Sequence, residues 1–395
     1  MRNDTRLQEL YSLIGEKHAQ WAELSKAIWD HPETAYREVF ACGQQVKLLR
    51  ELGFQVTTPY CGIETAYRAD YGEGTPAFAW VAEYDALPKL GHGCGHNLIC
   101  TAAVAAAYAA KTLFEKHGLP GHIVLLGTPA EESGGGKVKM LEKNGLDGID
   151  AAMMVHPSWR TTPDTGSTAI RRFDVEFFGK AAHAAGAPEL GLNALDAILL
   201  LFNAMNAWRQ QLPETARLHG IIVNGGEAPN IVPDYAKCRF YLRSTDETWI
   251  EKMERRFHDM IRGAELMTGT GSKTSQFNVP YMSRKPNSEM NQVYIGAAKE
   301  LGLNPVIPKR AGRGSSDFGD FSHKVPGIHP YFGIADHEIA AHSTDFAEAA
   351  GTEYGLNQAL KAAAAMAETG VRFLTDEEFR RKVKTEFEAE KCQNG

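Results

Sequence analysis

The chain has 395 residues, a formal net charge of −7 and 43% hydrophobic side chains; it is too long for one ordinary core and too apolar for disorder, so two globular domains are expected. No basic block occurs, which argues against nucleic acid and anionic membrane as partners, and no apolar run reads as a membrane span. The charged start, "MRNDTRLQELYSLIGEKHAQWAEL", lacks a signal-peptide core, and the six cysteines form no CxxC pair, so a cytoplasmic setting without a disulfide framework is expected.

The first fifty residues carry apolar side chains at three- and four-residue spacing, in "LQELYSLIGEKHAQWAELSKAIW" and in "REVFACGQQVKLLRELGF", which stops at Gly53. Both read as helices. Two β-like runs follow, "TAYRADYG" and "AFAWVAEYDALP", and then the glycine loop "GHGCGHNLIC". After Asn97, "LICTAAVAAAYAAKTLFEKHG" is a strong helix without breakers until Gly118. "HIVLLGTPAEESGGG" and "AAMMVHPS" read as buried strands running into loops. Strands alternating with helices predict an α/β fold, a mostly parallel sheet flanked by helices. From "TAIRRFDVEFFGKAAHA" the pattern changes to long alternating strands and two helices, in the order strand–helix–strand–strand–helix–strand. This predicts a smaller α+β domain at 169–284, inserted into a catalytic domain built from 1–168 and 285–395.

The glycine loop places Cys94 and His96 two residues apart, so in an extended backbone both face one side. Thiolate and imidazole suit zinc-like ions, and glycines let the backbone come close. Alone, this pattern also fits a glycine-rich turn with an idle thiol. "TPAEESGGG" then sets Glu131 beside Glu132 at the end of a buried strand, where two carboxylates repel unless a cation or proton intervenes. His156 stands at the end of the next strand, and "AAHSTDF" supplies His342. Each of these histidines alone fits a core or surface residue. Together, at successive strand ends, they make the ligand inventory of two adjacent divalent ions. The Gly-Ser-rich "AGRGSSDFGDFS", with Arg313, Gly314 and Ser315, suits a substrate carboxylate as well as it suits a plain loop.

Nine pieces in family order, "HPETAYRE", "EYDALP", "GHGCGHN", "GTPAEESGGGKVKML", "VHP", "GKAAHAAGAPELGLNALDA", "NIVPDYA", "GSSDFGDFS" and "HSTDF", resemble the metallopeptidase family of aminoacylases, acetylornithine deacetylases and succinyl-diaminopimelate desuccinylases. The resemblance is to its amidohydrolase branch, with p-aminobenzoyl-glutamate, hippurate and indole-acetyl-amino-acid hydrolases. Asn97 stands where many relatives carry Asp. The resemblance implies two divalent metal ions per subunit, zinc or manganese with cobalt as a further option, on Cys94, His96, Glu132, His156 and His342. Glu131 matches the general base, which takes a proton from metal-activated water and gives it to the leaving nitrogen. Asp85 matches a residue orienting a metal ligand from behind, a role His92 could share. His183 matches a histidine that stabilises the oxyanion in the partner subunit's site, and Asn230 a substrate contact. The implied activity is hydrolysis of N-acyl or N-aminoacyl amino acids, small-molecule amides resembling p-aminobenzoyl-glutamate or dipeptides, by a homodimer joined through the lid. A dipeptidase or aminopeptidase on the same scaffold is the alternative. A non-catalytic amide-binding relative and a thiol redox protein are the other classes. The retained Glu131 speaks against the first, and the lack of a cysteine partner for Cys94 against the second.

Overall fold

The computed structural model describes residues 3–308, 312 and 314–394. The chain divides into two compact units: residues up to Gly166, Lys285–Gly312 and Asp317 onward form the first, and Ser167–Arg284 with 314–316 the second.

In the first unit a six-stranded sheet runs in the order Gln55–Thr57, Tyr67–Tyr71, His122–Gly127, Ala77–Ala82, Ala151–Met153, Gly327–Ile328. The last four strands are mutually parallel and the first two antiparallel, so the mostly parallel expectation holds, with an antiparallel edge. Along Ala77–Ala82, Phe78, Trp80 and Ala82 join one core while Ala79 and Val81 join the other. That is the two-face burial which makes a central strand read as one apolar run. Helix His96–His117 covers one face beside helix Glu353–Thr375. Both are rich in alanine, which keeps side-chain entropy loss low and lets backbones approach. Gly118, in left-handed conformation at φ 61, ends the former. Gly370 of the latter lies against Trp80, where a Cβ would meet the indole at 2.2 Å. Gly370→Ala would therefore push the helix off the sheet.

Two expectations change here. The helix opens at His96, not after Asn97. It is also long and apolar enough to cross a bilayer by composition, against the sequence reading. However, 89% of its apolar window is buried inside this unit.

The second unit is an antiparallel sheet in the order Gly271–Gln276, Ala169–Phe178, Tyr235–Ser244, Ala216–Asn224. Tyr235–Ser244 alternates strictly between buried and half-buried positions, the pattern of a sheet with one dry face. Helices Ala194–Arg209 and Glu247–Thr268 pack on that face through Ile198, Leu201, Ile250 and Phe257. Asn193 and Asp246 cap them, each accepting two backbone N–H groups. The element order is the one predicted.

Candidate metal centre

The glycine loop is a turn, not an extended segment, so the convergence of Cys94 and His96 has another cause. Gly95 takes φ 72 between them, and a Cβ there would meet Pro157 at 2.6 Å. Only glycine allows this turn to sit against the His156–Ser158 strand. His342 is brought to the loop by its own backbone. It adopts φ 62 and donates its N–H to the Gly93 carbonyl at 2.9 Å. A left-handed non-glycine residue at a ligand position is strain stored at a site.

The side chains then gather in overlapping groups. Cys94, His96 and His156 present ligand atoms within 4.8 Å of one another, as do Cys94, Glu132 and His342, and again His96, Glu131 and Glu132. Cys94 Sγ lies 3.4 Å from His156 Nε2. His156 stands at the start of a second short strand, not at the end of the preceding one, and its Nδ1 faces the Pro157 carbonyl. Asp85 contacts two of the candidate ligands at once. Its Oδ1 lies 3.1 Å from His96 Nδ1, and its Oδ2 accepts the Glu132 N–H at 3.0 Å. The fit to a cation is tested by what points inward. His96 Nε2 and Glu132 Oε1 are enclosed and have no hydrogen-bond partner among the described residues, a costly arrangement without an ion. Burial, then the Glu132 carboxylate, pushes the Cys94 thiol well up, so a thiolate there requires a cation. His96 is raised against the effect of burial by Asp85. Glu132, despite burial, is lowered by His342 and His96. The donor set suits divalent ions of intermediate softness.

Sequence reasoning missed an ion cluster behind these ligands. Glu83, Glu131 and Asp317 bring carboxylate oxygens within 4.8 Å of one another. The fully buried Lys137 donates to Glu83 Oε1 at 2.5 Å and to Asp317 Oδ1 at 2.6 Å. Glu83 Oε2 lies 3.8 Å from His96 Nε2. Burial, followed by the charges of Glu83, Glu132 and Asp317, holds the Glu131 carboxyl well above the usual range. The sequence signal was Glu83 two residues before Asp85 and a lysine directly after three glycines. His92 Nε2 meets the Ile28 carbonyl at 3.0 Å, its Nδ1 is buried without a hydrogen-bond partner among the described residues, and burial, then His96, depresses it to about 4.

The second unit holds the other predicted residues. His183 is exposed, and its Nδ1 accepts from Ala185 and Gly186 N–H at 3.3 and 3.0 Å. That assigns the ring proton of the neutral form to Nε2. Asn230 lies beside it: its carbonyl accepts the Ala184 N–H, and His183 bridges to Ile231. The Gly314 carbonyl accepts the Thr168 N–H at 2.8 Å, and Ser315 Oγ lies 2.9 Å from Thr168 Oγ1. Arg313 lies outside the described residues. Arg243, absent from the sequence reading, donates to Ser315 Oγ at 2.9 Å. Its signal was an arginine one residue before the end of an alternating strand.

Comparison with known proteins agrees with this chemistry. The profile described as Peptidase family M20/M25/M40 matches residues 79–371. The chain is 35% identical to a mouse Xaa-Arg dipeptidase over 96% of its own length and 91% of that protein. It is 34% identical to one of the subunits of p-aminobenzoyl-glutamate hydrolase from Escherichia coli, over 75% of its length and 66% of the relative. The fold matches a Bacillus subtilis dinuclear metal-binding peptidase at a TM-score of 0.68 and 20% identity, covering 90% of this chain and 98% of that one.

Proposed function

The chain belongs to peptidase family M20/M25/M40 and is a metal-dependent amide hydrolase; from that premise we propose that it cleaves an aminoacyl or acyl group from the nitrogen of a free amino acid, with dipeptides as the first substrate class. The convergence of Cys94, His96, Glu132, His156 and His342 carries this reading. These five side chains would hold two divalent ions, zinc, manganese or cobalt, which when bound supply Lewis acidity to the scissile carbonyl and to water. Cys94, His96 and Glu132 each belong to two of the ligand groups, which ties the groups into one site.

Glu131 is the base. Its ionised form accepts a proton from the attacking water and returns it to the leaving nitrogen, and the carboxylates around it raise its affinity for that proton. Glu132 differs: it faces His342 and His96. Asp85 keeps His96 presenting Nε2. Arg243 and Ser315, with Arg313, Gly314 and Asn230, are the candidates for holding the substrate carboxylate and backbone, which restricts the enzyme to a free C-terminal amino acid. The relatives named above favour dipeptides over N-acyl substrates, with aminobenzoyl-glutamate as the second class.

The working form is a homodimer through the second unit. Strand Ala216–Asn224 is an edge of its sheet and exposes Ile221, Ile222 and Val223 in succession. Such an edge invites pairing with a second copy. His183 then offers its Nε2–H to the oxyanion in the partner's site. The test is a hydrolysis screen of dipeptides, N-acyl amino acids and aminobenzoyl-glutamate with each metal restored. Glu131→Gln should keep its metal and lose about 100-fold or more in turnover, whereas Glu132→Gln should bind metal weakly. Equal metal content in the two variants would refute the division of roles.

A further inference from the structure

The segment "HPETAYRE" matched the family without an assigned task, and the structure gives it one. Ala130, just before Glu131, is a fully buried alanine at φ 62, a conformation that L residues avoid. Three contacts hold it there. Glu38 Oε1 accepts the Ala130 N–H at 2.9 Å. The Ala130 carbonyl accepts the N–H groups of Gly134 and Gly135 at 2.9 and 2.8 Å. Tyr36, itself at φ 61, donates its hydroxyl to the Gly134 carbonyl at 2.7 Å and lays its ring against Gly134, where a Cβ would meet it at 2.5 Å. Glu38 is in turn fully buried and oriented by Thr65 Oγ1 on Oε2 at 3.1 Å.

Glu131 is thus bracketed by two anchored amides. Asp85 holds the one after it, on Glu132. Glu38 holds the one before it, on Ala130. The two carboxylates differ in what else they touch. Asp85 also contacts His96, whereas the side-chain bonds of Glu38 go to Thr65 and Ala130. Loss of Asp85 would therefore disturb metal and base together. Loss of Glu38, which bonds none of the candidate ligands, should disturb chiefly the base.

We infer that Glu38 is a positioning residue for the hydrolytic reaction: its carboxyl oxygen on the Ala130 amide fixes the strained turn that aims Glu131, without taking part in metal or substrate binding. The requirement is for an acceptor at one place, not for a charge. A relaxed Ala130 would carry Glu131 off line, and a displacement of about 1 Å is enough to cost on the order of 100-fold in rate.

The inference rests on the reading of Glu131 as base, so Glu131→Gln is assayed alongside. Glu38→Leu, which removes the acceptor, should lower kcat by about 30- to 100-fold, while bound metal per subunit stays at the wild-type value and KM moves by less than about threefold. Glu38→Gln, which restores an oxygen at the same reach, should return kcat to within about threefold of wild type. If Glu38→Leu does not fold, Glu38→Asp replaces it, since the shorter side chain withdraws the oxygen and should give the same loss of kcat at unchanged KM. Wild-type kcat in the folded Leu or Asp variant, loss of metal, or no rescue by Gln would each overturn the inference. A turning-over Glu131→Gln enzyme would instead remove the reading of the base. An inactive Glu131→Gln beside an unaffected Glu38 variant would remove this inference alone.

Discussion

Replacing Lys137 with methionine removes one ammonium from a dry pocket and leaves its carboxylates behind. Glu83 and Asp317 lie 2.5 and 2.6 Å from that ammonium, with oxygens within 4.8 Å of each other and of Glu131. At an effective dielectric of about 20, two charges 4.8 Å apart repel by roughly 332/(20 × 4.8), or about 3.5 kcal/mol. Breaking a buried pair typically costs about 3–5 kcal/mol for the same reason. The loss should therefore be about 3–5 kcal/mol at pH 8, a large share of the roughly 5–15 kcal/mol that a domain commonly holds. The sign of its pH dependence follows from the carboxyls. Burial already raises both Glu83 and Asp317 with the lysine present, and its loss raises them further. An acid whose folded pKa exceeds its unfolded value costs nothing below the unfolded pKa and progressively more as pH rises. The deficit of Lys137→Met should thus be small near pH 4.5 and largest above neutrality. Urea titration of both proteins across pH measures it, and Lys137→Met/Asp317→Asn, which removes one charge of each sign, should recover most of it. A deficit under about 1 kcal/mol at pH 8, or one that does not change with pH, would refute the reasoning.

Cys94→Ala and His96→Ala should each lose bound metal and activity together, as read by elemental analysis of the purified proteins; undiminished metal in both would remove them from the ligand set. For Glu38, burial and then Asp85 move the carboxyl from 4.5 to about 7. Wild type should therefore lose about 3 kcal/mol of stability relative to Glu38→Gln as pH rises from about 4.5 to above 7. A difference that stays constant across that range would show that Glu38 titrates normally. Glu131→Ala and His183→Ala should each be nearly inactive as homodimers, yet co-refolding them should restore activity, because one site of the mixed dimer has both an intact base and the partner's intact histidine. Tagged mixed dimers that form and stay inactive would show that His183 does not act across the interface.

Much of this fold was legible because its signals are local. Helix His96–His117 announces itself by eighteen buried positions in a breaker-free run, and the second unit by the strict alternation of Tyr235–Ser244. The five candidate ligands were legible because cysteine, histidine and glutamate at strand ends are chemically conspicuous. The hidden part depended on closeness that sequence separation conceals. Lys137 and Asp317 are 180 residues apart; one reads as a solvated lysine and the other as a loop aspartate until the chain folds. Arg243 stayed hidden because its partner Ser315 lies 72 residues on. Backbone conformation was equally invisible. Alanine and histidine carry no mark of the left-handed geometry that Ala130 and His342 adopt, so the turn that presents Glu131 and the one that brings His342 to the glycine loop could not be read in advance.

The first unit is assembled from both ends of the chain, with most of the second unit interposed as the stretch Ser167–Arg284 and its remaining piece, 314–316, following later. On a ribosome this imposes an order. That stretch carries all four strands of its sheet and both helices packed on it, and it can begin to fold while synthesis continues. The first unit must wait for Gly327–Ile328 to complete its sheet and for Glu353–Thr375 to cover it. His342 arrives in the same late stretch. A nascent chain can therefore present Cys94, His96, Glu132 and His156 to the cell's metal pool but not the full ligand set. The candidate ligand set should therefore be complete only once the stretch that carries His342 has emerged.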